Sequence, residues 1–223
     1  MAETAEDSAR KIPSHEVTYG RLRDMILYGL LEPGQPVTIQ GLIRDLDSGM
    51  TPVREAIRRL TAEGALLPQG NRRVAVPQMD GSALEQVAFA RLTIEPKLAE
   101  LAARNLTPAL IDRLDEIDGE VDHAIRTDDL SGYLRSNHAF HFALYEAADA
   151  PILLDMARSL WLRFGPSLRV VIQRQGATKL PDRHEEALAA MRAGDGAGLA
   201  LAIRNDIEQG IDQIRLAQDQ GTV

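Results

Sequence analysis

The chain has no cysteine. That excludes a disulfide framework, a thiol nucleophile and a thiolate-bound metal. Aromatic residues are scarce, 4% of 223 residues with a single Trp. Alanine and leucine are plentiful instead, a mix that favours helices over strands. No apolar run approaches the roughly 18 residues of a membrane-spanning helix. The first eight residues, Met-Ala-Glu-Thr-Ala-Glu-Asp-Ser, are polar and acidic and do not read as a secretory signal. The expectation is a soluble, cytoplasmic protein. Apolar residues still make up 44%, enough for packed cores in one large domain or two small ones.

Basic residues are outnumbered, 25 against 33 acidic, for a net charge of −8. Residues 1–79 carry ten of each sign, so the remainder of the chain holds the whole excess. Five arginines, Arg54, Arg58, Arg59, Arg72 and Arg73, cluster against Glu55 and Glu63. A locally basic stretch on a neutral segment, joined to an acidic one, fits a nucleic-acid module followed by something else. It also fits an ordinary solvated surface.

Residues 1–13 read as a frayed tail. Leu22, Ile26 and Leu30 then recur at helical spacing, and Pro33-Gly34 marks a turn. Thr38 is a good N-cap for a short helix with Ile39, Leu42, Ile43 and Leu46 on one face. After the Asp47-Ser48-Gly49 turn, Thr51 is expected as N-cap and Pro52 at the first helical position. That third helix buries Val53, Ala56, Ile57 and Leu60. Gly64 ends it. Residues 65–67 and 73–76 read as two short strands around Gln69-Gly70-Asn71. Three helices and a hairpin over 14–79 make a winged helix-turn-helix.

Residues 80–220 read as six helices, over about 81–105 (bent at Pro96), 108–126, 127–149, 151–175, 182–193 and 196–217. Helices of this length form an antiparallel bundle with room for a central cavity. The fold class is therefore mostly α, a winged helix-turn-helix followed by an all-α six-helix bundle.

Thr51, Arg54 and Arg58 share the face of the third helix opposite its apolar stripe, as a helix docked in the DNA major groove requires. Arg54 can pair with guanine, and Thr51 with a phosphate or a thymine methyl. Arg72 and Arg73 at the hairpin suit the adjacent backbone or minor groove. The spacing is equally that of an amphipathic helix with a solvated arginine face.

Resemblance separates the two. Residues 19–76 resemble the DNA-binding domain of the GntR family. The matching residues are Tyr19, Leu22, Arg23, Ile26, Gly29, Pro33-Gly34, Leu42, Thr51-Pro52-Val53-Arg54-Glu55-Ala56, Leu60, Glu63, Gly64 and Asn71-Arg72. Two positions depart from the family pattern. Gly49-Met50 stands where Ser-Arg is usual, so Met50 replaces a DNA-contacting guanidinium, and Arg73 stands where the wing tip usually has Gly. The resemblance implies a palindromic double-stranded DNA operator, bound by a homodimer, of a sequence other than the family's commonest.

Asn137 and His141 lie four apart and project to one side of a helix, with His138 and Phe142 on the neighbouring stripe. Residues 84–210 resemble the FCD domain, the ligand-binding domain of a GntR subgroup, in its shorter six-helix form known from vanillate regulators. Arg91-x-x-x-Glu95, Asn137-x-x-Phe140-His141-x-x-Leu144, and His184 eleven residues before Asp195 carry that resemblance. Many such domains hold a metal by Asp, His, His and His. By position these become Asn137, His141, His184 and Asp206, which offer two oxygens and two nitrogens. A divalent ion such as zinc, nickel or manganese is one expectation, and a metal-free polar pocket is the other. Arg91 is an effector-binding candidate for a small organic or sugar acid, together with Asn137, His141 and His184. Alternatively, Arg91 and Glu95 simply form an ion pair along one helix. Arg163 and Arg169 can point inward or to the surface.

The leading reading is a ligand-responsive transcription regulator, not an enzyme. The alternative is a metal-dependent helical hydrolase or lyase built on Asn137, His141, His184 and Asp206. A helical interaction protein without a ligand is a third. No nucleophile and base at a recognisable spacing and no phosphate-cradling loop support the enzyme.

Overall fold

A computed structural model describes residues 14–70, 72–175 and 183–220. The expected tail over 1–13, Asn71 of the wing, the expected loop over 176–181 and Asp182 lie outside the described residues. Among the described residues, nine helices and three short strands form a winged-helix part and a helical bundle.

Helix α1, Ser14–Leu27, buries Thr18, Leu22, Ile26 and Leu27. The expected continuation of the stripe to Leu30 fails, since Leu30 is 57% exposed. Gly29 has φ +66°, which leads the chain out of the helix and brings Leu31 into the core instead. Strand β1 is Val37–Thr38, and helix α2 is Ile39–Asp45. The Thr38 hydroxyl accepts from the Gly41 N–H at 3.0 Å and caps α2.

Helix α3, Met50–Ala62, starts earlier than expected. Gly49 takes the extended N-cap position, and its carbonyl accepts the Val53 N–H at 3.2 Å. Thr51 and Pro52 therefore sit inside the first turn, neither as cap nor as first residue. Proline is tolerated there because the first N–H groups of a helix have no partner within it.

Strands β2, Leu67–Pro68, and β3, Arg73–Ala75, replace the expected 65–67 and 73–76. Ala65 and Leu66 drop into the core directly after Gly64. The Val76 carbonyl accepts from the Gly34 N–H at 2.8 Å. The sheet order is β1-β3-β2, antiparallel throughout, with Val37 opposite Val74 and Leu67 opposite Ala75. The two residues of β1 were too few to show a period of two.

The bundle consists of α4, Gly81–Ala102, α5, Pro108–Arg126, α6, Leu130–Glu146, α7, Pro151–Gln175, α8, Arg183–Ala193, and α9, Gly196–Asp219. Asp80, Thr107, Asp129 and Asp195 cap four of these by accepting an N–H three residues on. Helix α4 is continuous through Pro96. It packs most extensively on α9, while α5 packs on α6 and α8 on α9. Its buried Leu84, Leu98 and Ala102 and the Ile203, Ile207, Ile211 and Ile214 stripe of α9 join one apolar core.

Helix α7 holds the winged-helix part. The Arg163 guanidinium donates to the Glu63 carbonyl at 3.0 Å, and that of Arg169 to the Tyr28 carbonyl at 3.3 Å. These two carbonyls end α3 and α1, where the helix dipole is negative and a cation is favoured. Arg163 lies over Gly64 (φ +74°) and Arg169 over Gly29, leaving no room for a side chain at either. A Cβ at Gly165, between them on α7, would lie 2.5 Å from the Leu27 carbonyl oxygen. Both arginines, open in the sequence reading, thus reach across to the winged-helix part.

Gly64→Ala should cost about 1–2 kcal/mol from the left-handed backbone alone, because the Arg163 tip it meets can swing away. Gly29→Ala should cost more, since the new methyl would sit 2.7 Å from the immobile Arg169 Cβ. Urea unfolding of the two variants checks the order, and equal losses would contradict it.

Candidate functional site

On α3 the buried side is Val53, Ala56 and Leu60, with Ile57 partly buried, and the opposite side exposes Thr51, Arg54 and Arg58. Arg54 has no ion-pair partner among the described residues. Arg58 holds Glu55 at 2.5 Å on the open surface, a pair weak enough to exchange for a phosphate. Met50 is 39% exposed at the start of the helix, and Arg72 and Arg73 are exposed on the wing. Arg59 belongs elsewhere. It lies 3.7 Å over the Tyr19 ring and bonds Glu16 and Glu63, tying α3 to α1. Ser14 and His15 join Thr51, Arg54 and Arg58 around a concavity of about 640 Å³. No spacing in the sequence pointed to those two, because α1 and α3 meet only in the fold.

The second site lies in the bundle. Arg91 on α4 is 2% exposed and Glu95, one turn on, is fully buried. The two form a paired contact, Nε to Oε1 at 2.5 Å and Nη2 to Oε2 at 3.2 Å. This is the ion pair along one helix that the spacing allowed, and it is buried. The guanidinium is held between the rings of Trp161 and Phe164 of α7, at 4.6 and 4.1 Å. Its Nη1 has no acceptor among the described residues. Glu95 Oε2 also accepts from Trp161 Nε1 at 2.9 Å and from the Tyr145 hydroxyl at 2.8 Å.

Tyr133, Asn137, His141 and Tyr145 recur every four residues along α6. His141 is fully buried, with Nδ1 3.1 Å from the Tyr145 hydroxyl. Its Nε2 lies 3.1 Å from Asp206 Oδ2 on α9, off the line of a hydrogen bond, and has no hydrogen-bond partner. His184 of α8 stacks on Phe140 at 4.0 Å, and its Nδ1 is 2.8 Å from Asp118 of α5. One ligand atom each from His141, His184 and Asp206 lies within 4.8 Å of the others. Three of the four expected residues are therefore neighbours. Asn137 is buried one turn before His141 on the same helix.

This donor set fits a divalent cation. It offers an orphaned imidazole nitrogen, a second histidine oriented by a carboxylate, and an ionised carboxylate. The 3.1 Å between His141 Nε2 and Asp206 matches two ligands of one ion, about 3.0–3.4 Å apart for bonds of about 2.1 Å. Burial opposes ionisation of Asp206, yet His141, His184 and Arg91 hold its carboxyl down at about 2. Its side chain is 21% exposed. Tyr133 is pushed upward by burial and then by the Asp206 charge.

Sequence reasoning missed Tyr133, Tyr145, Trp161 and Asp118 at this site. The four-residue recurrence on α6 was a signal for the tyrosines. Nothing local linked Asp118 to His184 or Trp161 to Glu95. His138 turns away from the centre, stacks on Phe142 at 4.3 Å, and lines a cleft of about 610 Å³ between the two parts with Tyr19, Arg23 and Arg158. Burial first, then His141, Arg23 and Arg158, push it down to about 3.

The FCD domain family matches residues 86–209, and the family described as bacterial regulatory proteins, gntR family, matches residues 15–76. The chain is 29% identical over 193 residues to the HTH-type transcriptional regulator McbR of Escherichia coli K12, covering 85% of this chain and 87% of the relative. It is 21% identical over 211 residues to the HTH-type transcriptional repressor RspR of the same organism, covering 94% and 92%. The solved structure of E. coli McbR/YncC superposes with a TM-score of 0.87 at 27% identity, over 93% of this chain and 99% of that one. A putative GntR regulator from Rhodococcus sp. RHA1 shares the fold at a TM-score of 0.73 and 22% identity, over 91% and 98%. These relatives are regulators, and none supports a hydrolase or lyase. Among the described residues no helix is long and apolar enough to cross a membrane.

Two outcomes follow from the burial. Arg91→Ala should destabilise by about 3–5 kcal/mol, because Glu95 is left buried and unpaired, and Arg91→Ala/Glu95→Leu should recover most of it in urea unfolding. The unfolded chain takes up a proton on His138 below about pH 6.5, whereas the folded chain refuses it until about 3. Stability present at pH 7 is therefore lost as pH falls through that window. Asp206, ordinarily at 3.8 and held at about 2 in the fold, adds its own loss mainly below about pH 4.5. His138→Phe should flatten the dependence between pH 7 and 4.5 by up to about one proton, and an unchanged slope would contradict the assignment.

Proposed function

The chain belongs to the GntR family of bacterial regulators, as a DNA-binding transcriptional regulator with an FCD effector domain, and from that premise we propose that its effector is a small organic or sugar acid. The observation that carries this reading is Arg91. A fully buried guanidinium with Nη1 uncommitted is shaped for a carboxylate. It lies close enough to Asp206 for each to feel the other's charge. The acid would sit between Arg91 and the group formed by Asn137, His141 and His184.

His141, His184 and Asp206, with the Asn137 carboxamide as a fourth donor, would hold a divalent ion such as zinc, nickel or manganese. When bound, the ion supplies a Lewis-acidic anchor for an oxygen of the effector. The chain's own residues do the rest. Arg91 orients the carboxylate, and the rings of Trp161 and Phe164 keep water from the guanidinium.

The DNA face is Thr51, Arg54 and Arg58 of α3, entered from Met50, with Arg72 and Arg73 of the wing on the flanking backbone. Residues 14–79 form the reading domain and 80–220 the sensing domain. The regulator acts in the cytoplasm as a homodimer on a palindromic operator. Phe89, Ile152 and Met156, exposed at 76%, 76% and 50% on α4 and α7, supply apolar surface for a second copy. The acid works only if it binds one DNA-affinity state better than the other.

The test begins with an operator captured from genomic fragments and followed by fluorescence anisotropy, with acids added with and without divalent metal. Arg54→Ala should cost about 1–3 kcal/mol at the cognate site and relax specificity there. Arg73→Gly should weaken all sequences alike and flatten the salt dependence. Arg91→Gln/Glu95→Gln, which removes both charges together, should abolish the acid response and keep operator binding. A normal response in that variant, or a response to neutral ligands alone, defeats the acid reading.

A further inference from the structure

Glu95 is crowded with donors. Arg91 gives it two hydrogen bonds, Trp161 one and the Tyr145 hydroxyl one. A carboxylate with those neighbours is ionised and only accepts. Tyr145 has a single proton, and of its two polar neighbours the Glu95 carboxylate is the closer and can only accept. That proton therefore stays on the phenol and points at Glu95, 2.8 Å away. The phenol oxygen is left to face His141 Nδ1, 3.1 Å away, with a lone pair.

A neutral imidazole carries its proton on one nitrogen. With the proton on Nε2, the Nδ1 lone pair would meet the lone pair of the phenol. With the proton on Nδ1, that contact becomes a hydrogen bond, whereas a proton on Nε2 would have no acceptor in line, since Asp206 Oδ2 lies 3.1 Å away but off the direction of a hydrogen bond and is placed instead as a second ligand of one cation would be. Nε2 is the atom that is buried without a hydrogen-bond partner. We propose that Tyr145 is a positioning residue that selects the His141 tautomer offering Nε2 to the centre, and that Glu95, fixed by Arg91 and Trp161, sets Tyr145 in turn.

The centre then has two histidines oriented by different means. Asp118 does it directly at His184 Nδ1. At His141 the same task passes through a phenol to a carboxylate of another helix, so the orientation of an α6 ligand depends on an ion pair of α4. The proposal rests on reading His141 as a cation ligand, but its core, the tautomer, is measurable without any ion.

The experiment uses the full chain, stripped of metal and labelled with ¹⁵N-histidine, at pH 7.5. Long-range ¹H–¹⁵N correlation spectra distinguish the two tautomers, and His141→Gln assigns the signal. The expected wild-type result is a proton on Nδ1 of His141. In Tyr145→Phe, His141 should move to the Nε2-protonated form, and affinity for zinc or manganese alone, by calorimetry, should fall about 10–100-fold. His184, whose partner is Asp118, should keep its tautomer. A wild-type His141 protonated on Nε2 or on both nitrogens overturns the proposal with no variant needed, so misfolding of Tyr145→Phe does not shelter it. Unchanged tautomer and affinity in a folded Tyr145→Phe also overturn it. A wild type that binds neither metal but changes tautomer in the variant supports the relay and defeats the cation reading instead.

Discussion

The bundle is arranged around one buried charge pair. Taking a guanidinium and a carboxylate out of water costs several kcal/mol for each ion, and only close geometry with further hydrogen bonds offsets it. Arg91 and Glu95 meet that demand with groups from three helices. Both ions come from α4, the Tyr145 hydroxyl from α6, and the Trp161 N–H and two ring faces from α7. Each donor is needed because its absence strands a charge, so the pair fixes the mutual placement of α4, α6 and α7. An apolar trio of helices could slide by a turn at modest cost. Helices that share an ionised carboxylate have much less freedom to do so.

Helix α7 is where this constraint reaches the DNA-reading part. Trp161 and Phe164 face the ion pair, whereas Arg163 and Arg169 face the carbonyl ends of α3 and α1. A rotation of α7 that loosened the ring cage would also move the Arg163 guanidinium over Gly64 and the Arg169 stem over Gly29, where the latter packs closely on the backbone. Close packing of this kind answers a small displacement by changing arrangement rather than by deforming gradually. The cleft lined by His138 and Tyr19 lies along the same junction. On the proposed reading, an acid held by Arg91 would therefore act on the element that holds α3.

Much of this was readable from the sequence, and the parts that were not share a cause. The helices of the bundle were marked by caps that act within four residues, such as Thr107 before Pro108 and Asp195 before Gly196. The outward face of α3 followed from its apolar stripe. Leu30 was misplaced because apolar spacing continues past the point where Gly29 redirects the backbone. Thr51 was misplaced because Thr-Pro is a good start signal even when glycine supplies the extended residue two positions earlier. At the centre, the spacing of Asn137 and His141 was local and legible. The partnerships of His184 with Asp118, and of Glu95 with Trp161, join residues 66 apart in the chain. Only packing creates them. Arg59 shows the same limit from the other side, since charge counting grouped it with the DNA-facing arginines and the fold spends it on Tyr19 and Glu16.

Charge also orders the events at the centre. Arg91 and Glu95 cancel, and histidines that hold a cation do so as neutral imidazoles, so the protein groups of a loaded site would bring about −1, from Asp206. Sequence comparison with the resembled ligand set moves the carboxylate from one position to another but keeps that total. On the proposed reading, an acid entering the bare site would raise the charge to about −2 in a medium where unscreened repulsion is strong. The same acid entering after a divalent cation meets about +1 and brings the site to neutrality. Arg91 then acts less as the source of attraction than as its orienting group, because most of its charge is already answered by Glu95. The −8 of the chain, all of it beyond residue 79, works in the same direction. It disfavours stray anions and the DNA backbone at the bundle, so on the proposed reading an acid would enter only where a cation at His141, His184 and Asp206 reverses the charge locally.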